Sequence, residues 1–228
     1  MKFKGTIIGE ASGSVASLTF SHNRGGQYIR QRAIPVDPAT PAQQVVRQAM
    51  SDLTSLWGDT LSAAQRDAWD QYALNVPLPD TLGEPRNVGG LGMYVRTNIP
   101  IAQAGLTRVD DAPSIFDLGP FTNPDVASIT APDALLLNFD NTDAWANEDE
   151  AAMLVYGSRA NNPSINYFKG PYRFAGSILG NGTTPPTSPA AITMPFVLVA
   201  GQRAFLQVRV TRADGRLSGV GRFQGDVV

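Results

Sequence analysis

The sequence predicts an α+β protein with three parts: an N-terminal β-hairpin arm, a central helical hairpin and a C-terminal antiparallel β-sandwich. Three observations lead there. Apolar and polar residues alternate on either side of a Gly-Gly pair before residue 35. A 3.6-residue apolar period then runs from about 41 to 74. From about 126 the period changes to two, with turn residues between short runs. The expected divisions are 1–40 for the arm with a proline spacer, 41–124 for the helices and their loops, and 125–228 for the sandwich.

The arm comes first. Val15 to Ser21 alternates, with Ala16, Leu18 and Phe20 on one face, so it reads as one strand. Gly25-Gly26 supplies the positive φ angles of a tight turn. The return strand, Gln27 to Ile34, carries Tyr28, Arg30, Arg32 and Ile34 on one side. An isolated hairpin is marginal in water, so this one needs more strands or a partner surface. Three prolines between 35 and 41 then fix φ and push their predecessors towards extended geometry, which makes a stiff spacer.

Thr40-Pro41-Ala42-Gln43 has the form of a capping box with Pro at the first helical position. Val46, Ala49, Met50, Leu53, Leu56 and Trp57 form the apolar stripe that follows, and Gly58 fits the stop. Ser62-Ala-Ala-Gln65 repeats the box, and Ala64, Ala68, Trp69 and Tyr72 form a second stripe. Trp57 and Trp69 read as core anchors of a helical hairpin from about Pro41 to Leu74. Asn75 to Asn87 reads as a Pro/Gly-rich loop. Leu91 to Thr97 reads as a short helix stopped by Pro100, and Pro113 to Pro124 as the boundary to the sandwich.

Seven strands are expected beyond it: 127–130, 135–139, 151–156, 172–178, 192–199, 203–211 and 219–224. Ala213-Asp214-Gly215 is a strong turn signal before the last. Asn181 to Pro189 reads as an exposed loop.

Composition removes several kinds of chemistry. The 228 residues contain no cysteine, which excludes disulfides, thiolate catalysis and the usual structural zinc sites. A net charge of −2 gives no global field towards nucleic acid or anionic lipid. No apolar run approaches the roughly 18 residues needed to cross a bilayer. Met1-Lys-Phe-Lys-Gly has no apolar region behind it, so no signal peptide is expected. Charge is unevenly placed: seven acids and no base lie between Asp125 and Glu150, whereas eight bases against two acids lie from Arg159 onward. Either the two segments pair within one domain, or acidic and basic faces dock between copies.

Candidate catalytic residues are lacking. His22 is the sole histidine, lies beside the Gly25-Gly26 turn and has no placed partner for a triad or metal site. Asp133, Asp140 and Asp143 lack the spacing, central Gly and terminal Glu of an EF-hand. Gly89-Gly90-Leu-Gly92 lacks the preceding strand and the Gly-Lys-Ser/Thr of a phosphate loop. Neither an enzyme nor a cofactor or metal protein is expected. Arg24, Tyr28, Arg30 and Arg32 are the candidate partner-binding residues. Four are too few for nucleic acid, and carboxylates or carbonyl groups of a protein partner suit them better.

Gly9 and Gly13, Thr19-Phe20-Ser21, Arg24 through Arg30, Pro35, Pro38, Thr40 through Gln43, Arg47, Trp57, Gln65-Arg66, Trp69 and Tyr72 together carry a family likeness. In these residues, roughly the first third of the chain, the sequence resembles a virion-protein family of tailed phages and prophages. The C-terminal part resembles a fibronectin type III or immunoglobulin-like module, without the Cys-Trp-Cys signature.

The resemblance implies a non-enzymatic structural subunit of a tailed-phage virion, made in the host cytoplasm and located in the particle. Capsid decoration or cement is the first placement, with a neck or tail accessory or fibre-attachment role as the alternative. The implied partners are the major capsid protein or a neck or tail protein, with homo-oligomers in the assembly, and neither nucleic acid nor membrane. A rival of another class is a host-surface glycan-binding adhesin, with Tyr156, Tyr167, Phe168, Tyr172 and Phe174 as an aromatic platform. The simpler expectation is that most of these five fill the sandwich core.

Overall fold

The computed structural model describes residues 11–23, 26–80 and 82–228. The chain divides into two compact units, 1–45 and 46–228.

In the first unit, β1 (Gly13–Val15), β2 (Leu18–Asn23) and β3 (Gly26–Gln31) form an antiparallel sheet in that order. The run from Val15 to Ser21 is therefore not one strand. Val15 pairs with Leu18 across a two-residue turn, and Ala16 adopts φ 50° to make it. That is left-handed geometry, uncommon outside glycine, which alternation alone does not reveal. Gly26 sits at φ 105° where β3 begins; the rest of the predicted Gly-Gly turn lies outside the described residues. No described side chain in residues 11–50 is buried.

Helix α1 (Pro41–Asp59) starts at the expected box: the Thr40 amide donates to Gln43 Oε1 at 3.0 Å and the Gln43 amide to Thr40 Oγ1 at 3.4 Å. Only its last turns join a core, through Leu53 and Trp57; Val46 and Met50 remain half exposed. Helix α2 (Ala63–Asn75) has the full capping box of Ser62 and Gln65. A two-residue ladder, β4 (Leu78–Pro79) with β5 (Pro85–Arg86), lies in the predicted loop.

Helix α3 (Gly89–Ala104) is longer than expected and runs through Pro100. Proline lacks an N–H, so the Arg96 carbonyl loses its usual helical partner. Tertiary packing retains the helix: Pro100 and Ile101 are both buried. It is α3 that packs most extensively on α2. Gly90 permits this, because a Cβ there would lie 2.5 Å from Asp70 Oδ1 and 2.8 Å from the Asp70 amide. Leu53, Leu61, Trp69, Tyr72, Met93 and Tyr94 form the helical core. Trp69 is fully buried, stands edge-on to both Tyr72 and Tyr94, and donates its indole N–H to the Asp110 carbonyl at 2.9 Å.

The sandwich follows. One sheet has the order β10 (Ala190–Thr193), β7 (Ala134–Asn138), β6 (Asp125–Thr130). The other has the order β12 (Gly221–Asp226), β11 (Arg203–Thr211), β8 (Ala152–Ser158), β9 (Tyr172–Leu179). The fourth strand, β9, thus joins the sheet of the third. In a constant-type immunoglobulin domain the fourth lies with the first, second and fifth instead. The arrangement here is a sandwich of one three-stranded and one four-stranded antiparallel sheet.

Alternation explains the core. Met153 and Val155 of β8 and Ala204, Leu206, Val208 and Val210 of β11 point inwards to Leu135, Leu137, Trp145 and Ile192. Each large apolar side chain so buried contributes about 1.5–3 kcal/mol. The strand expected over 192–199 ends at Thr193, because Pro195 cannot donate to a ladder. Arg212 pairs with Glu148, which joins the basic segment to the acidic one, whereas Arg203 and Arg216 pair with Asp226 and Asp214. The Ala213-Asp214-Gly215 turn forms as read, with Gly215 at φ 91°.

Candidate functional site

The residues singled out for partner binding sit on the first unit's sheet. Tyr28 opposes Ser21 and Arg30 opposes Thr19, so alternation puts Tyr28 and Arg30 on one face. Tyr28 is half-buried and Arg30 exposed. Arg32 lies just beyond β3, is exposed, and donates its amide to the Ser17 carbonyl at 2.7 Å. Arg24 lies outside the described residues. On the same face Ser14 and Thr19 share a 2.8 Å hydroxyl hydrogen bond. His22 is exposed opposite Gln27.

Apolar exposure is frequent in this sheet and in the stretch of chain that follows it. Val15, Leu18, Ile34, Val36, Val45, Val46 and Met50 are all exposed, Val36 at 90%. Exposed apolar side chains in such number are candidates for contact with a partner.

A second candidate lies in the second unit, and it includes Tyr156 and Tyr172 of the expected aromatic platform. The five aromatics of the possible sugar platform do not fill the sandwich core: none belongs to the interior cluster. The even-numbered residues of β8 face outwards, which puts Tyr156 on the outer face of the four-stranded sheet. The register shift between Val155 and Tyr156 sets Phe174 opposite Tyr156, and the two rings meet edge-on at 5.6 Å. Phe168 stands edge-on to Phe205, while Tyr167 is exposed.

Helix α3 packs over part of this outer face and leaves a cleft of about 380 Å³. Arg96 and Gln103 line it from the helix; Tyr156, Tyr172, Gln207 and Arg209 line it from the sheet. The Tyr156 hydroxyl donates to Gln103 Oε1 at 2.9 Å, bridging the two sides. No acidic residue lines the cleft. Among the described residues neither Arg96 nor Arg209 has a carboxylate within ion-pair distance.

The electrostatics follow from that composition. Burial, and then the Arg209 charge, lower the pKa of Arg96. Burial raises the Tyr156 hydroxyl, opposed by Arg209. Burial likewise raises Tyr172, opposed by Arg222, which neighbours Gln207 across the ladder, and then by Gln207 itself. The Tyr172 hydroxyl is enclosed, with Gln207 beside it. The outward positions of β11 were legible from alternation. Arg96 was not, because its meeting with Arg209 depends on how α3 lies on the sheet.

The acids considered for a cation serve the backbone instead. Asp140 accepts from the Thr142 amide at 2.8 Å, and Asp143 from the Thr122 amide at 2.7 Å. Among the described residues no group of three or more His, Cys, Asp or Glu side chains is placed to hold a metal ion. No described helix is long and apolar enough to cross a membrane.

No family model matches the chain, and no curated protein or solved structure matches it.

Proposed function

We propose that this protein is a non-enzymatic structural subunit of a tailed-phage virion, attached to the particle through its N-terminal region. The observation that carries the reading is the absence of any buried described side chain in residues 11–50, together with the exposed apolar residues from Val15 to Met50. A three-stranded sheet with no core of its own gains stability when another surface covers it, by strand pairing or by apolar contact. Tyr28, Arg30 and Arg32 supply the polar contacts at that surface, and the likeness to virion proteins lies in the same part of the chain. Decoration of the capsid is the first placement.

Deleting residues 1–34 tests the reading. The truncated protein should fold yet be missing from purified particles. Truncated protein recovered in particles at full occupancy would overturn the attachment assignment. Stoichiometry by mass spectrometry then separates the placements: hundreds of copies mean the shell, and a ring-sized number means the neck or tail.

A further inference from the structure

The cleft between α3 and the outer face of the four-stranded sheet does not enter the attachment reading. Two guanidinium groups share it without a carboxylate, and each is partly withdrawn from water. Such a pair is unfavourable in the empty protein, through desolvation and like-charge repulsion together. Natural arginines in this position ordinarily meet an internal acid, as Arg108, Arg203, Arg212 and Arg216 all do here. Arg96 and Arg209 are instead left facing one another's charge.

The other groups in the wall narrow the ligand. The amides of Gln103 and Gln207 offer donors and acceptors beside the two cations, and Tyr156 and Tyr172 add aromatic surface. Gln103 already accepts from Tyr156, so its amide N–H groups remain to donate. The Tyr172 hydroxyl, enclosed in the same wall beside Gln207, adds a further donor. Two fixed cations select an oxyanion, because a guanidinium binds carboxylate and phosphate through paired N–H groups. Amides and aromatic rings select the body that carries it: polar at its edge, flat on its face. An acidic side chain of a protein would use the arginines and leave the amides and rings idle. The volume is at the small end of ligand sites and suits one or two rings.

We infer that this cleft binds an acidic sugar, with the carboxylate or phosphate of the sugar held between Arg96 and Arg209 and its hydroxyls by Gln103 and Gln207. The inference is independent of attachment through residues 1–34, since every group it uses lies between residues 96 and 209.

The test is calorimetric titration of the full chain with glucuronic acid, glucose 6-phosphate, neutral glucose and an aspartate-rich peptide. At least one sugar acid should bind, more weakly as salt is added, and neutral glucose should not. The tighter of the two acids identifies the group that is held. Arg209→Gln and Arg96→Gln should each weaken that binding about tenfold, the loss of a charge-assisted contact. Thermal unfolding separates a binding role from a structural one. Without ligand, Arg209→Gln should melt no lower than the wild type, since it removes a repulsion, and the sugar acid should raise the melting temperature of the wild type more than that of either variant. The inference fails if no sugar acid binds, if glucose binds as tightly, if the peptide binds more tightly than both sugar acids, or if Arg209→Gln binds unchanged.

Discussion

Residues 11–50 contain no buried described side chain, whereas residues 53–228 enclose two apolar cores, one around Trp69 and one around Leu206. Both regions use regular hydrogen-bonded structure. The three-stranded sheet of the first has full ladders and a satisfied helix cap beside it. The difference is side-chain burial, and it shows that a good backbone pattern does not by itself make a segment self-sufficient. Net hydrogen-bond gains are small against the conformational entropy of ordering a chain, so apolar area decides.

That contrast can be broken by mutation. Trp69→Ala should give the largest effect. It empties a fully buried site and removes the hydrogen bond to the Asp110 carbonyl, and should lower unfolding free energy by about 3–5 kcal/mol in a denaturant titration. A loss below about 1 kcal/mol would mean that the helical core does not hold the second unit together.

Asp110→Asn should have an intermediate effect. Arg108 donates two hydrogen bonds to the Asp110 carboxylate, at 2.6 and 2.8 Å, and the Tyr94 hydroxyl donates one at 3.2 Å. The Arg108 hydrogen bonds are the main reason the carboxyl lies below its ordinary value of 3.8. A depressed carboxyl contributes stability above its unfolded value and loses it as pH falls through the folded one. The wild type should therefore lose stability below about pH 4, and the variant should lack that part of the slope. The site is about one third exposed, so the cost near neutral pH should be about 1–2 kcal/mol.

Val15→Ser and Leu18→Ser should have the smallest effect on folding, within about 0.5 kcal/mol of wild type, because both side chains are already exposed. Their effect should appear in particle incorporation. A pair of substitutions that unfolded the protein would erase the distinction between the two regions.

The legibility of the sequence follows the same division. Ser62 with Gln65, Trp69, the alternation of Ala204 through Val210 and the Ala213-Asp214-Gly215 turn are local signals, and each led to the element found. Ala16 misled because a left-handed alanine looks like any other in a pattern. Pro100 misled because a helix stop is a local rule, and burial of its surroundings overrode it. Tyr156, Tyr172 and Phe174 were placed on the wrong side of a strand. Aromatic residues carry no mark of the face they will occupy, and the register shift opposite Val155 and Tyr156 moved the alternation of β9, where Tyr172 and Phe174 lie. The pairing of Arg96 with Arg209 joins residues more than a hundred positions apart, so nothing short-range announces it.

One feature of the sandwich governs its biosynthesis. Strand β12 completes the four-stranded sheet, and residues 227–228 then stitch the two sheets: the Val227 amide donates to the Gln202 carbonyl at 2.7 Å and the Val228 amide to the Ile129 carbonyl at 2.8 Å. Both residues follow every strand of the two sheets along the chain. Until β12 and these residues are made, the edge of β11 away from β8 is unpaired. The helical core up to Val95 emerges earlier in translation. The nascent sandwich thus passes through an interval in which its strand edges are accessible, and chaperone demand during synthesis should concentrate on that half of the chain.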